Sequence, residues 1–292
     1  MALSAADYDP TVTELCERAL VTILGNAGWW GQHLYLVGGL VPRYLTVPPT
    51  ENRPAHAGTR DVDLGLALAF PARTRTDYEK LAQCLQRAGF EQTRDEPGFT
   101  WTYAEDGDTL KVDLLSETDE VAPGESFKPR ANTGSRLQAL NARGIHLLPL
   151  DHRVVEVTAE RLDGQGVSTV SVRVAGPLPF VALKVNALQL RHLTKDAYDI
   201  VYTLDNLGPA DGPHPAEAGR VMAQSPVARD PFNAESIEML RARFAEPSFD
   251  GPGGYAQFLS VGPTDDARLR NEAVAIVGEA LAAFDRALEA RE

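Results

Sequence analysis

Apolar and polar positions change their period along the chain, and each change marks an element. Residues 12 to 28 place Val12, Leu15, Leu20 and Ile23 at helical spacing and end near Gly25, which predicts an amphipathic helix. The apolar run from Leu34 to Val37 predicts a short strand. Gly38-Gly39 breaks it, and Pro42 stands where a first helical turn tolerates a residue without an N–H. After a Pro-bearing loop from Pro48 to Gly58 comes Asp61-Val-Asp-Leu-Gly-Leu-Ala-Leu68, which alternates with period two. Val62, Leu64, Leu66 and Leu68 then share one face, and Asp61, Asp63, Gly65 and Ala67 the other.

A second helix is expected from Thr76 to Ala88, with Leu81, Cys84, Leu85 and Ala88 inward and Gly89 as its stop. Phe99 to Tyr103 and Thr109 to Leu115 read as the arms of a β-hairpin, since Glu105-Asp-Gly-Asp108 supplies its turn chemistry. On the second arm Lys111 and Asp113 face away from Leu110, Val112 and Leu114. The polar stretch from Glu117 to Ser135 is expected to be a mobile loop. Two more strands, near Val154 to Thr158 and Ser168 to Val174, flank the turn at Asp163 to Gly166. Beyond Pro177 the pattern is helical: one long helix from Phe180 to Leu204, a Gly/Pro break at Gly208 to Pro215, then further helices, the last from about Asp265 to Ala290.

Charge narrows the function classes. Lys and Arg total 28 against 41 Asp and Glu, a net charge of -13 at pH 7, which disfavours broad sequence-independent adhesion to nucleic acid but leaves room for a local basic cleft. No stretch approaches eighteen consecutive apolar residues, and the opening MALSAADYDP is acidic where a secretory signal would be basic. A cytoplasmic protein without a membrane partner is therefore expected. Cys16 and Cys84 are too few for a disulfide scaffold or a zinc cluster and fall at buried helix positions. The six histidines show no HExxH spacing, which removes the common zinc-protease motif.

The alternation of the Asp61 strand carries the chemistry. Residues two apart on a strand lie roughly 6.5 to 7 Å apart on one face, so Asp61 and Asp63 can point into one space. If the Thr109 to Leu115 strand lies alongside, Asp113 joins them. Like charges about 4 Å apart repel by roughly 4 kcal/mol at an effective dielectric near 20, so three gathered carboxylates call for protonation or a divalent cation, for which magnesium is the natural choice. Taken alone, an Asp-x-Asp is more often a solvated strand end, and a glycine pair more often a plain turn. Here strand, Gly38-Gly39 and helix also form a candidate anion site, without the Lys-Ser/Thr of a P-loop. On a continuous helix through Ala182 to Asp199, Lys184, Arg191 and Lys195 would fall within about 40° of one another, opposite Leu183, Ala187, Leu190, Leu193, Ala197 and Val201. Such a stripe is commonly a solvated face; in an acidic protein it also suits a triphosphate.

In order, Leu36-Val-Gly-Gly39, Gly58-Thr-Arg-Asp-Val-Asp-Leu64, Lys111-Val-Asp-Leu-Leu115, Lys184 and Lys195-Asp-Ala-Tyr-Asp199 resemble the AbiEii/MenT-type nucleotidyltransferase toxins of the DNA polymerase beta superfamily. The resemblance spans residues 34 to 204. It implies an α+β fold: a polymerase-beta-like core of mixed sheet with flanking helices over residues 1–177, then a mainly helical lobe over 178–292. It implies metal ligation by Asp61, Asp63 and Asp113, with two Mg²⁺ ions or Mn²⁺ in their place, and catalytic roles for those residues with Lys184 and Asp199. Nucleotide contacts fall to Gly38, Gly39, Arg60, Lys184, Arg191 and Lys195. The implied reaction moves a nucleoside monophosphate from an NTP to an acceptor hydroxyl, the tRNA 3′ end in several such toxins, each neutralised by an antitoxin. The sequence departs from the pattern at Ala57, where many relatives carry arginine, and in the insertion from Pro48 to Pro54. A small aminoglycoside-like acceptor, or a non-catalytic nucleotide-binding module, remain as alternatives.

Overall fold

A computed structural model describes residues 4–51, 53–66, 75–105, 108–128, 137–209, 212–259 and 262–291. By its contacts the chain forms two units. One comprises Pro10–Leu40 and Gly58–Ala175; the other takes the described parts of Met1–Asp9, Val41–Ala57 and Gly176–Glu292. The architecture is α+β, a mixed sheet with flanking helices in the first unit and helices in the second.

The sheet unit contains α1 (Pro10–Ala27), β1 (Leu34–Leu36), β2 (Asp61–Leu66), α3 (Arg75–Arg87) and β3 to β8 (Thr100–Glu105, Asp108–Ser116, Ser126–Phe127, Ala139–Asn141, His152–Glu160, Val167–Ala175), α2 being a single turn assigned to the other unit. Its strands run in the order β5-β6-β4-β2-β1-β8-β7, with β3 pairing on β4 as well. β2 is antiparallel to β1 and parallel to β4, and β3 and β4 form a tight hairpin whose register closes at Glu105 and Asp108. The period-two pattern is realised: Val62, Leu64, Leu66, Leu110, Val112 and Leu114 are at most 1 % exposed. They belong to one core with Leu20 and Ile23 of α1, Leu81 and Leu85 of α3, and Phe90, all fully buried. Each such side chain contributes roughly 1.5–3 kcal/mol by leaving water. Cys16 and Cys84 are free and buried, as expected. Leu68 lies outside the described residues.

The segment after Glu117 departs from the expected loop. Ser126 and Phe127 form a strand on β6, and buried Asn141 pins the preceding residues by accepting from the Thr118 N–H and donating to the Thr118 and Val121 carbonyls. A side chain far along the sequence thus supplies the order that local composition lacks; residues 129–136 of the expected loop lie outside the described residues.

The helical unit holds α2 (Pro42–Leu45) and α4 to α9 (Pro177–Arg191, Thr194–Asn206, Pro215–Ala223, Pro231–Arg243, Asp250–Leu259, Pro263–Glu289). Proline occupies the first turn of α2, α4, α6, α7 and α9, where its missing N–H would be unsatisfied in any case. α6 approaches α9 so closely that a Cβ on Gly219 would lie 2.0 Å from the Ala280 carbonyl oxygen. The single long helix expected from Phe180 to Leu204 is two helices. His192 caps α4 in the left-handed region (φ 52, ψ 36), and Leu193 is extended. No glycine or proline announces the break, so the helical period of the sequence runs straight across it.

Candidate active site

Three carboxylates share one face of the sheet. Asp63 of β2 sits directly beside Asp113 of β4 in parallel register, and Asp61 sits beside Lys111 one step along the same face. All are partly buried, opposite the core-facing valines and leucines. The same level of the sheet continues into β3, where Thr100 stands opposite Asp113, and into the turn after β1, where the Val37 N–H donates to the Asp63 carbonyl. Gly38 follows. A Cβ there would fall 1.6 Å from Asp63 Oδ2 and 2.5 Å from its Cγ, so the carboxylate occupies the space that any other side chain would fill. Gly39 continues the same turn. The following helix α2 is one turn long, too short to sum an appreciable dipole; the anion-binding capacity expected of strand, glycine pair and helix therefore reduces to the glycine backbone.

Two hydroxyls fix the carboxylates. Thr59 Oγ1 donates to Asp61 Oδ1 at 2.7 Å and is itself anchored through Thr13, whose hydroxyl accepts from the Thr59 N–H. Thr100 Oγ1 donates to Asp113 Oδ1 at 2.7 Å. Burial, opposed by the Thr100 hydrogen bond and reinforced by the charge of Asp61, pushes the Asp113 carboxyl up to about 6. Cys16 beneath is raised as well, first by burial and then by the charges of Asp61 and Asp63, and stays a thiol. Lys111, half-exposed on the same face, pairs with Glu96 at 2.6 Å. Lys111 falls on the face the sequence alternation assigns it, beside Asp113, whereas Thr100 has no role in the sequence reading. The signal for Thr100 was available in the hairpin, because pairing Glu105 with Asp108 fixes which residue faces Asp113. Arg60, beside this group, is exposed.

The donor set is all oxygen and anionic, which is the chemistry a hard divalent cation such as Mg²⁺ takes. As the side chains stand, no three His, Cys, Asp or Glu residues among the described residues form a ready-made cation site. The fit therefore lies in donor type and shared face.

Lys184, Arg191, Lys195 and Asp199 lie in the helical unit, in a network of their own. Lys184 Nζ is 2.8 Å from Asp199 Oδ2 and 3.1 Å from Asp196 Oδ1. Lys195 also pairs with Asp199, Arg191 grips both oxygens of Asp196 at 2.8 Å, and His56 Nε2 meets Asp199 Oδ1 at 2.8 Å. Lys184, Asp196 and Asp199 are buried. Burial alone would lower the Lys184 ammonium, but Asp199 and Asp196 hold it above its ordinary value. Burial would likewise raise Asp199, yet Lys184 and Lys195 hold it well below the carboxylate range. His56 is pushed down to about 4 by burial and by Lys195, so it is neutral at pH 7 and donates to Asp199. The solvent-facing basic stripe opposite an apolar face is thus corrected. Lys184 points into a buried ion-pair cluster while Leu190 and Leu193 are about half exposed, because α4 turns inward the face that carries Val181, Val185 and Leu188, and Lys184 lies on that face.

A family model described as nucleotidyltransferase matches residues 17–203, more than half of the chain. The chain belongs to this nucleotidyltransferase family. As a nucleotidyltransferase it is an enzyme whose substrate is an NTP and whose reaction transfers the nucleoside monophosphate. The matched span carries both Asp-rich strands, Gly38-Gly39 and the Lys184–Asp199 cluster. No curated protein matches the chain. Among the described residues no helix is long and apolar enough to cross a membrane.

Proposed function

We propose that this nucleotidyltransferase is metal-dependent and acts at the carboxylate face of the sheet, with the tRNA 3′ end as acceptor, as an AbiEii/MenT-type toxin held in check by an antitoxin in the cytoplasm. The observation that carries the site is the side-by-side register of Asp63 and Asp113 on one face with Asp61, against a glycine turn. Asp61, Asp63 and Asp113 would hold the cation, Mg²⁺ or Mn²⁺. Such ions, when bound, activate an attacking hydroxyl and stabilise the departing pyrophosphate. The chain's own part is to orient three carboxylates, to admit phosphate oxygens against the Gly38 and Gly39 backbone, and to offer Asp113 as acceptor for the hydroxyl proton. Arg60, Arg191 and Lys195 are the proposed cationic contacts to the nucleotide. Lys184 and Asp199 complete the proposed catalytic set. The acceptor assignment is supported by the motif order of residues 34 to 204.

The net charge of -13 favours a second reading, in which the acceptor is a polycationic small molecule of the aminoglycoside kind. Incubating the enzyme with Mg²⁺, total tRNA and each α-labelled NTP in turn separates the two. Label on tRNA is expected for wild type and none for Asp61→Asn; full activity in D61N removes the site assignment. Label on an aminoglycoside but not on tRNA removes the toxin reading.

A further inference from the structure

We propose that Thr100 is a positioning residue for Asp113, holding one carboxylate oxygen so that the other is presented in a fixed orientation; the inference rests on the metal-site reading above. Thr100 is 3 % exposed, and its hydroxyl donates to Asp113 Oδ1 at 2.7 Å. Asp113 Oδ2 accepts no hydrogen bond from a described residue. The pairing is built into the fold. Thr100 and Asp113 are direct partners in antiparallel register, and Asp113 is in turn the direct partner of Asp63, so the three side chains form a row across β3, β4 and β2. A buried position in a strand ordinarily favours valine, which has nearly the volume of threonine and no hydroxyl to satisfy. A threonine here gains its one buried partner from the carboxylate. Without that bond the Asp113 carboxylate can rotate about its side-chain torsions, and its second oxygen loses a defined direction. Residues that orient first ligands in this way set both cation affinity and turnover without touching the ion.

The test compares wild type, Thr100→Val and Thr100→Ser. Manganese binding is followed by the EPR signal of the free ion, without turnover, and kcat and KM for the NTP are measured in parallel. T100V is expected to weaken manganese binding and to lower kcat by about ten- to a hundredfold. KM for the NTP should stay within about twofold, since ground-state nucleotide contacts are untouched. T100S, which restores the hydroxyl, is expected to recover both. Thermal melting by circular dichroism establishes that the variants fold. If T100V does not, Thr100→Ala, which removes the hydroxyl without leaving a branched side chain, is read by the same measurements. Wild-type manganese binding and kcat in T100V overturn the inference alone, as does a T100S variant as impaired as T100V. A wild-type enzyme that binds no manganese overturns this inference together with the metal-site reading.

Discussion

At Gly38 a single missing side chain makes room for Asp63. Because a Cβ there would sit inside the carboxylate, Gly38→Ala must displace Asp63, the turn or both. A shift of about 1 Å at reacting groups costs roughly a hundredfold in rate, so G38A is expected to lower kcat by about that factor while its far-ultraviolet circular dichroism stays wild-type. An unchanged kcat would show that Asp63 does not need its present position. Lys184→Ala is a poorer probe. Removing one partner from a buried ion-pair cluster costs about 3–5 kcal/mol, so lost activity would report folding as much as chemistry. The three aspartates were legible in the sequence because alternation fixes which side chains share a face. Their threonine supports were legible only in part: the hairpin register sets Thr100 opposite Asp113, but nothing in the sequence marks it, or Thr59 just before β2, as a hydrogen-bond partner of a carboxylate. Nor did the sequence distinguish a lysine facing solvent from Lys184 buried against Asp196 and Asp199.

Elements with strong period or sharp punctuation were read correctly: α1, α3, the β3–β4 hairpin, the β7 and β8 strands and the terminal helix all lie within a few residues of expectation. β5 and β6 were missed, being two and three residues long and specified by pairing with each other and with β4 rather than by local pattern. The α4–α5 break was missed for the opposite reason: its sequence is helical in composition and tertiary packing interrupts it at a histidine. A non-glycine residue in the left-handed region costs about 1–2 kcal/mol. The imidazole of His192 is exposed and lies 3.9 Å from Asp250, a pairing at the surface that contributes little. His192→Gly is therefore expected to raise the melting temperature by about 2–4 °C, as a gain near 1 kcal/mol does in a chain of this size. A lower melting temperature in differential scanning calorimetry would show that the imidazole contributes more than the backbone strain removes.

Over the whole molecule, a net charge of -13 sets how the enzyme meets its acceptor. An acidic surface can neutralise few phosphates. With a tRNA acceptor, kcat/KM is expected to fall less than about tenfold between 50 and 200 mM salt, whereas a basic groove making six or more phosphate contacts would lose roughly a thousandfold. A steep fall with tRNA would reveal a concentrated basic path; a steep fall with a polycationic acceptor would favour the small-molecule reading. The path of the chain between its two units has a consequence of another kind. Val41–Ala57 belongs with helices that follow Gly176, and His56 finds its carboxylate 143 residues further on. During synthesis this segment therefore leaves the ribosome long before its partners exist. Cutting the gene after β8 would not release two self-sufficient halves, because the first half would carry away a piece of the second.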